Sequence, residues 1–214
     1  MNTLCKTLLA ASLLLPLTSY ADSWFIKPYV GLSQISDVSG DAENINNISG
    51  NSDINLDTGF NVGLSGGYYY NDSIAVEFGW EYRSNDSETN LANSFTYPDG
   101  NYASNTFYLN GLYHFAKTVN WQPYLGGGLI WVQEIDIDLE FEGNELSFSS
   151  DGDIGFQVMA GINYHLNNDW LIQLEARYSD ITDIDLSGEE RAIGNISGLD
   201  YQPVTLQVGL IYKF

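Results

Sequence analysis

Nine ionisable side chains fall on one parity of an alternating pattern: Lys27, Glu77, Glu81, Arg83, His114, His165, Glu175, Arg177 and Lys213. Alternate residues of a strand share a face, so these groups point one way, among small and polar neighbours. Two chemistries are open to them. They could neutralise one another in an enclosed interior, where a charge is tolerated only when paired; Lys27, Glu77, Glu81, Arg83, Glu175 and Arg177 are the candidates for such a network. They could instead line a gated polar path for ions or small solutes. Catalysis is a third class, and it asks for a His beside a Ser or Asp where a substrate can reach. Here His114 and His165 each precede a short turn, the single Cys is residue 5, and no nucleophile stands out.

The segments that carry these residues alternate with period two, the signature of strands with unlike faces. Eight can be traced. Trp24, Ile26, Val30 and Leu32 share a face, as do Phe60, Val62, Leu64, Tyr68 and Tyr70, then Ile74, Val76, Phe78, Trp80 and Tyr82. Phe107 to Phe115, Trp121 to Trp131, Ile154 to Tyr164, Trp170 to Tyr178 and Val204 to Phe214 repeat the pattern. Glycine and small polar residues dominate the second face, which suits the crowded inside of a narrow barrel, while the bulky face turns outward. Aromatics gather at the strand ends, as in the interfacial girdles of a membrane barrel. Short connections (Asn71 to Ser73, Ala116 to Asn120, Asn167 to Asp169) alternate with long polar ones (Ser36 to Asp57, Asn85 to Ser104, Asp180 to Tyr201). The expected fold is all-β: an eight-stranded antiparallel up-and-down transmembrane β-barrel.

Composition sets the compartment and excludes several partners. Residues 1–21 read as a secretory signal peptide, with Lys6, an apolar run from Thr7 to Leu17 and a small-residue cleavage site at Ala21; residues 22–214 are then the barrel domain. Seven basic against twenty-eight acidic residues, a net charge of −21, argue against nucleic acid as a partner. Twenty-two of the acids lie at the long-connection end. Asn-x-Ser triplets at Asn47, Asn71, Asn85 and Asn195 read as polar turn sequence.

The last nine residues, Leu206 to Phe214, alternate apolar positions and end on Tyr212 and Phe214. This resembles the assembly signal that small outer-membrane β-barrel proteins of Gram-negative bacteria, the OmpA-like and OmpX-like class, present to the barrel-assembly machinery. Pro28-Tyr29-Val30-Gly31, Pro123-Tyr124-Leu125-Gly126 and Tyr113-His114-Phe115 are similar to strand starts and ends of that class. The resemblance covers the whole mature chain. It implies a monomeric outer-membrane barrel in contact with lipid and lipopolysaccharide. The resemblance is to the barrel of the OmpA pattern, and no counterpart of its peptidoglycan-binding domain is expected, since Phe214 ends both strand and chain. The family marks an architecture more surely than an activity. A structural, adhesive or surface-interaction role through the long acidic connections is expected ahead of a narrow pore, and no enzyme.

The alternation continues past Trp131. With a two-residue turn at Gly143-Asn144, Gln133, Ile135, Ile137, Leu139 and Phe141 keep the outer face, Trp131 meets Phe156, and Asp136 and Glu134 face Asp151 and Asp153. Like charges directly opposite are destabilising, so either the acidic rim frays and is solvated, or Glu134, Asp136, Asp151 and Asp153 hold a Ca²⁺ or Mg²⁺ through oxygen ligands. No other cofactor is expected.

Overall fold

The computed structural model describes residues 23–214, apart from 46–47, 93, 142–143 and 190–191; the expected signal peptide lies outside them. Among the described residues thirteen strands are formed: β1 (Trp24–Ile35), β2 (Val38–Ile45), β3 (Ile48–Leu56), β4 (Gly59–Asn71), β5 (Ile74–Leu91), β6 (Phe95–Tyr97) and β7 (Asp99–His114), then β8 (Trp121–Phe141), β9 (Asn144–Ser150), β10 (Ile154–His165), β11 (Trp170–Gly188), β12 (Asn195–Tyr201) and β13 (Pro203–Lys213). They compose eight long staves. β1 with β2, β3 with β4, β9 with β10, and β12 with β13 make one stave each; β5, β7, β8 and β11 are staves by themselves, and β6 folds back on β5.

Antiparallel pairing runs from each stave to the next and returns from the eighth to the first. The lower ring is β1-β4-β5-β7-β8-β10-β11-β13. The upper ring is β2-β3-β5-β7-β8-β9-β11-β12. Pairing is continuous around the lower ring, as a bilayer requires, and sparser in the upper one, where β9 meets β11 through Ser149 with Ser187 and Phe148 with Gly188. The eight-stranded barrel is as the alternation predicts.

The long connections differ from expectation. Segments read as polar loops are mostly strand, and they carry the barrel beyond the membrane. Register passes through with little change: Ile35 pairs with Pro203 and, further up, Asp41 with Ser197.

In the lower half the outer face is apolar, with Val30, Leu32, Phe78, Leu109, Leu129 and Trp131 exposed. In the upper half the polarity inverts. Ile54, Ile135, Ile137, Leu139, Phe148, Ile184, Leu186, Ile196 and Leu199 are buried in a core inside the ring, and the acids face out. The inversion is built from irregularities in the staves. On β8, Thr106 pairs with Val132 but Asn105 with Glu134, leaving Gln133 as an extra residue. A one-residue bulge moves every later side chain to the opposite face, so Ile135, Ile137 and Leu139 point in; the expectation that they stay on the outer face is corrected. β11 shifts register between Ile181 and Ile184, where Asp183 has φ 63°, and Gly198 in β12 has φ 73°.

The glycines of the inner face have a packing reason. Phe25 pairs with Gly67, Tyr29 with Gly63, Tyr108 with Gly79 and Tyr124 with Gly161. In each pair the ring lies where a Cβ on the glycine would stand. We expect Gly79→Val to lower stability by about 1–3 kcal/mol through overpacking. Gly111→Val should be tolerated, because the Cβ would enter open lipid-facing space. Urea midpoints of the two variants in vesicles check this; equal midpoints would contradict it.

Candidate functional site: the charged lumen

The six residues singled out for the lumen converge there. Lys27 comes from β1, Glu77, Glu81 and Arg83 from β5, and Glu175 and Arg177 from β11. Strands β1 and β11 both flank β13, and β5 flanks β4, so the three groups reach across the ring rather than along one hairpin. All six are at most 3% exposed.

Arg177 is the hub. Its Nη2 lies 2.7 Å from Glu175 Oε1 and its Nη1 3.1 Å from Glu81 Oε2. Arg83 Nη2 holds the other Glu81 oxygen, Oε1, at 2.5 Å, and Lys27 Nζ holds Glu77 Oε1 at 2.7 Å. Three cations thus meet three carboxylates within the membrane zone. Neutral groups complete the shell: Tyr124 donates to Glu175 Oε2, Gln207 to Glu175 Oε1, and Asn61 and Tyr29 to Glu81 Oε2. The guanidinium of Arg177 also sits 4.8 Å from the Tyr108 ring centroid, a cation–π placement. Buried charges persist only when geometry and extra hydrogen bonds offset their desolvation, and this arrangement supplies both. Charge parity alone did not reveal Tyr29, Tyr108 and Tyr124 as members. Their signal was present: they are aromatics on the glycine face, opposite in parity to the girdles.

Above the network the lumen turns apolar. Tyr201 stacks on Tyr102, with centroids 5.8 Å apart, and shares a 2.7 Å hydrogen bond with Ser104. Burial pushes the Tyr201 phenol above its ordinary range, against the pull of Arg83. Ile35, Ile130, Val132 and Ile181 pack in the same core. The polar interior is therefore capped by a largely apolar core in the upper ring.

The remaining candidates are dispersed. His165 Nε2 lies 3.1 Å from Gln122 Oε1. His114 is buried between the rings of Tyr69 and Tyr124. Lys213 stands over the Tyr69 ring at 4.3 Å. All are at the end opposite the acidic hairpins. Tyr212 pairs with Ile26 and Trp170, and Phe214 exchanges backbone hydrogen bonds with Trp24, so the final residues form the seam that closes the ring.

The acidic hairpin has a different register from the one expected. Phe141 pairs with Asn144, Leu139 with Leu146, Ile137 with Phe148 and Asp136 with Ser149, while Trp131 meets Ile154 rather than Phe156. The expected pairing of Asp136 with Asp151 is corrected. The observed register sets Asp138 against Ser147, whose hydroxyl donates to it at 2.7 Å; it relieves the like-charge opposition of Asp136 and Asp151 but pairs Glu140 with Glu145 near the turn. The turn residues 142–143 lie outside the described residues. Glu134 and Asp151 line a shallow outer cleft with Asp185 and Glu189, and Asp153 accepts from the Ser150 hydroxyl. Among the described residues, no group of three or more His, Cys, Asp or Glu is arranged to hold a metal.

A family profile described as the outer membrane protein beta-barrel domain matches residues 7–214. Among solved structures, the outer membrane protein OprG from Pseudomonas aeruginosa is 17% identical, with 91% of this chain and 96% of that one covered and a TM-score of 0.67. Neisserial surface protein A is 16% identical over 89% and 97% of the two chains, with a TM-score of 0.54. AlkL, solved in lipid bilayers, is 18% identical over 91% and 92%, with a TM-score of 0.51. At these identities the likeness is one of fold. No curated protein matches the chain in sequence.

Proposed function

Since the chain belongs to the outer membrane protein β-barrel family and resides in the bacterial outer membrane, we propose that it is a closed scaffold presenting a rigid acidic wall for surface interaction. The observation that carries this reading is the two-part filling of the barrel: a neutralised ion-pair network inside the membrane zone and a packed apolar core above it. An eight-stranded interior has room for little more than its side chains, and here they occupy it. What the barrel offers to others is its outside, where the extended staves hold Asp41, Glu43, Glu88, Glu134, Glu140 and Asp185 on paired backbone. Such a surface suits cationic partners, or anionic ones bridged by divalent cations, among them lipopolysaccharide. Two tests bear on it. The purified protein in planar bilayers should stay silent; stable single-channel openings would replace the scaffold with a narrow pore. Immobilised protein should retain poly-L-lysine at low ionic strength and lose it at high salt, because exposed charges are screened beyond about 3 Å at 1 M. Failure to bind it at any salt would remove the interaction role. A catalytic role finds no support in the placement of His114 and His165, away from the acidic surface.

A further inference from the structure

On the membrane side of the barrel the apolar belt is broken by a recess of about 430 Å³. Its floor is Gly66, which pairs with Ile26 on one side and Phe78 on the other. Its walls are Ile26, Phe78 and Trp80, and Trp24 and Phe214 close it toward the short-turn end. No charged side chain lines it. Ile26, Phe78, Trp24 and Phe214 are all exposed, so the recess opens outward. At Gly66 a Cβ would meet only the Phe25 carbonyl oxygen, at 3.4 Å, in contrast to Gly67 beside it, which is covered by the Phe25 ring.

An empty recess in a lipid-facing wall forfeits the dispersion contacts of every atom that lines it, and an apolar one gives water no partners. A flexible hydrocarbon chain fills it at small cost. We propose that the recess is a binding site for one acyl chain of a glycerophospholipid. The leaflet follows from position: Trp24 and Phe214 lie at the short-turn end, opposite the acidic hairpins, so the occupant comes from the periplasmic leaflet. Rigid aromatic walls distinguish this chain from the rest of the lipid annulus and lengthen its residence. The inference rests on the membrane position of the barrel and stands or falls separately from the surface-interaction reading.

The test uses the full barrel in nanodiscs of phosphatidylethanolamine and phosphatidylglycerol, released in native mass spectrometry at rising collision energy. The wild type should keep one phospholipid at energies that strip the others. Gly66→Leu, which fills the floor from an outward position, should lose that adduct. Gly111→Leu is the control, since it adds the same side chain to the lipid face outside the recess, and it should retain the adduct. Equal retention by all three proteins would overturn the site. A dimer in the wild type that Gly66→Leu abolishes would also overturn it, by assigning the recess to a second copy of the chain.

Discussion

Replacing Arg177 with alanine is expected to lower the unfolding free energy by about 3–5 kcal/mol, the cost of leaving buried carboxylates without their partner. Among the described residues Arg177 is the cation that touches both Glu175 and Glu81, and it is 3% exposed. Without it, Glu175 keeps Tyr124 and Gln207, both neutral, as its hydrogen-bond partners among the described residues. Glu81 retains Arg83, so Glu175 bears most of the loss. Two comparisons separate this from simple cavity formation. Arg177→Lys should recover only part of the stability, because an ammonium cannot present two edges of a planar fork to two carboxylates. Arg177→Leu combined with Glu175→Leu should cost less than Arg177→Ala alone, since no charge is then stranded. Urea titrations of the barrel in vesicles, followed by tryptophan fluorescence, read all three. An unchanged midpoint for Arg177→Ala would show that the lumen satisfies its carboxylates by other means.

Phe148→Ala should cost about as much, roughly 3–5 kcal/mol, but in a different place. Phe148 is fully buried and pairs with Ile137 inside the upper ring, where no lipid is available to fill the space it vacates. The expected signature is a loss of amide protection in β2, β3, β9 and β12, with protection in β1, β4, β10 and β13 retained. Phe156→Ala is the matched control. Phe156 is 49% exposed on the lipid-facing side, so acyl chains replace its contacts and the effect should be small. Hydrogen exchange by mass spectrometry distinguishes the outcomes. A uniform loss of protection over both rings would mean that the two halves unfold as one unit.

The staves, their outward-facing aromatics and the six lumen charges were legible because each depends on strict alternation within one stretch, such as Ile74 to Arg83. The inversion in the upper half was not. It turns on single added residues, and Gln133 looks like any other polar position in an alternating run. A signal did exist in the charge count. Glu134, Asp136, Asp138, Glu140 and Glu142, read as inward, would have put five carboxylates into the lumen with nothing basic between Lys117 and Arg177. The cost of such a cluster already demanded a change of face somewhere near Trp131. The hairpin register was missed for a related reason: both registers pair apolar residues with one another and both set one acid against another near the turn, Glu140 with Glu145 in the register observed, so only acids further from the turn, such as Asp136 against Ser149 instead of Asp151, separate them.

The rings laid over glycines also bear on how the barrel comes together in time. Phe25 on Gly67 and Tyr29 on Gly63 join the first stave to the second, Tyr108 on Gly79 joins the third to the fourth, and Tyr124 on Gly161 joins the fifth to the sixth. Each such pair belongs to one outer hairpin. A slip of one residue would drive the ring into a side chain, so these three hairpins can find their alignment individually. Between the seventh and eighth staves the corresponding positions hold Glu175 against Gln207 and Arg177 against Thr205, polar contacts without a ring laid over a glycine. The last hairpin finds its alignment through the buried pairs of its upper part, Ile184 with Leu199 and Leu186 with Ile196, and the shutting of the ring adds two further checks on it, Arg177 reaching Glu81 and the seam of β13 on β1.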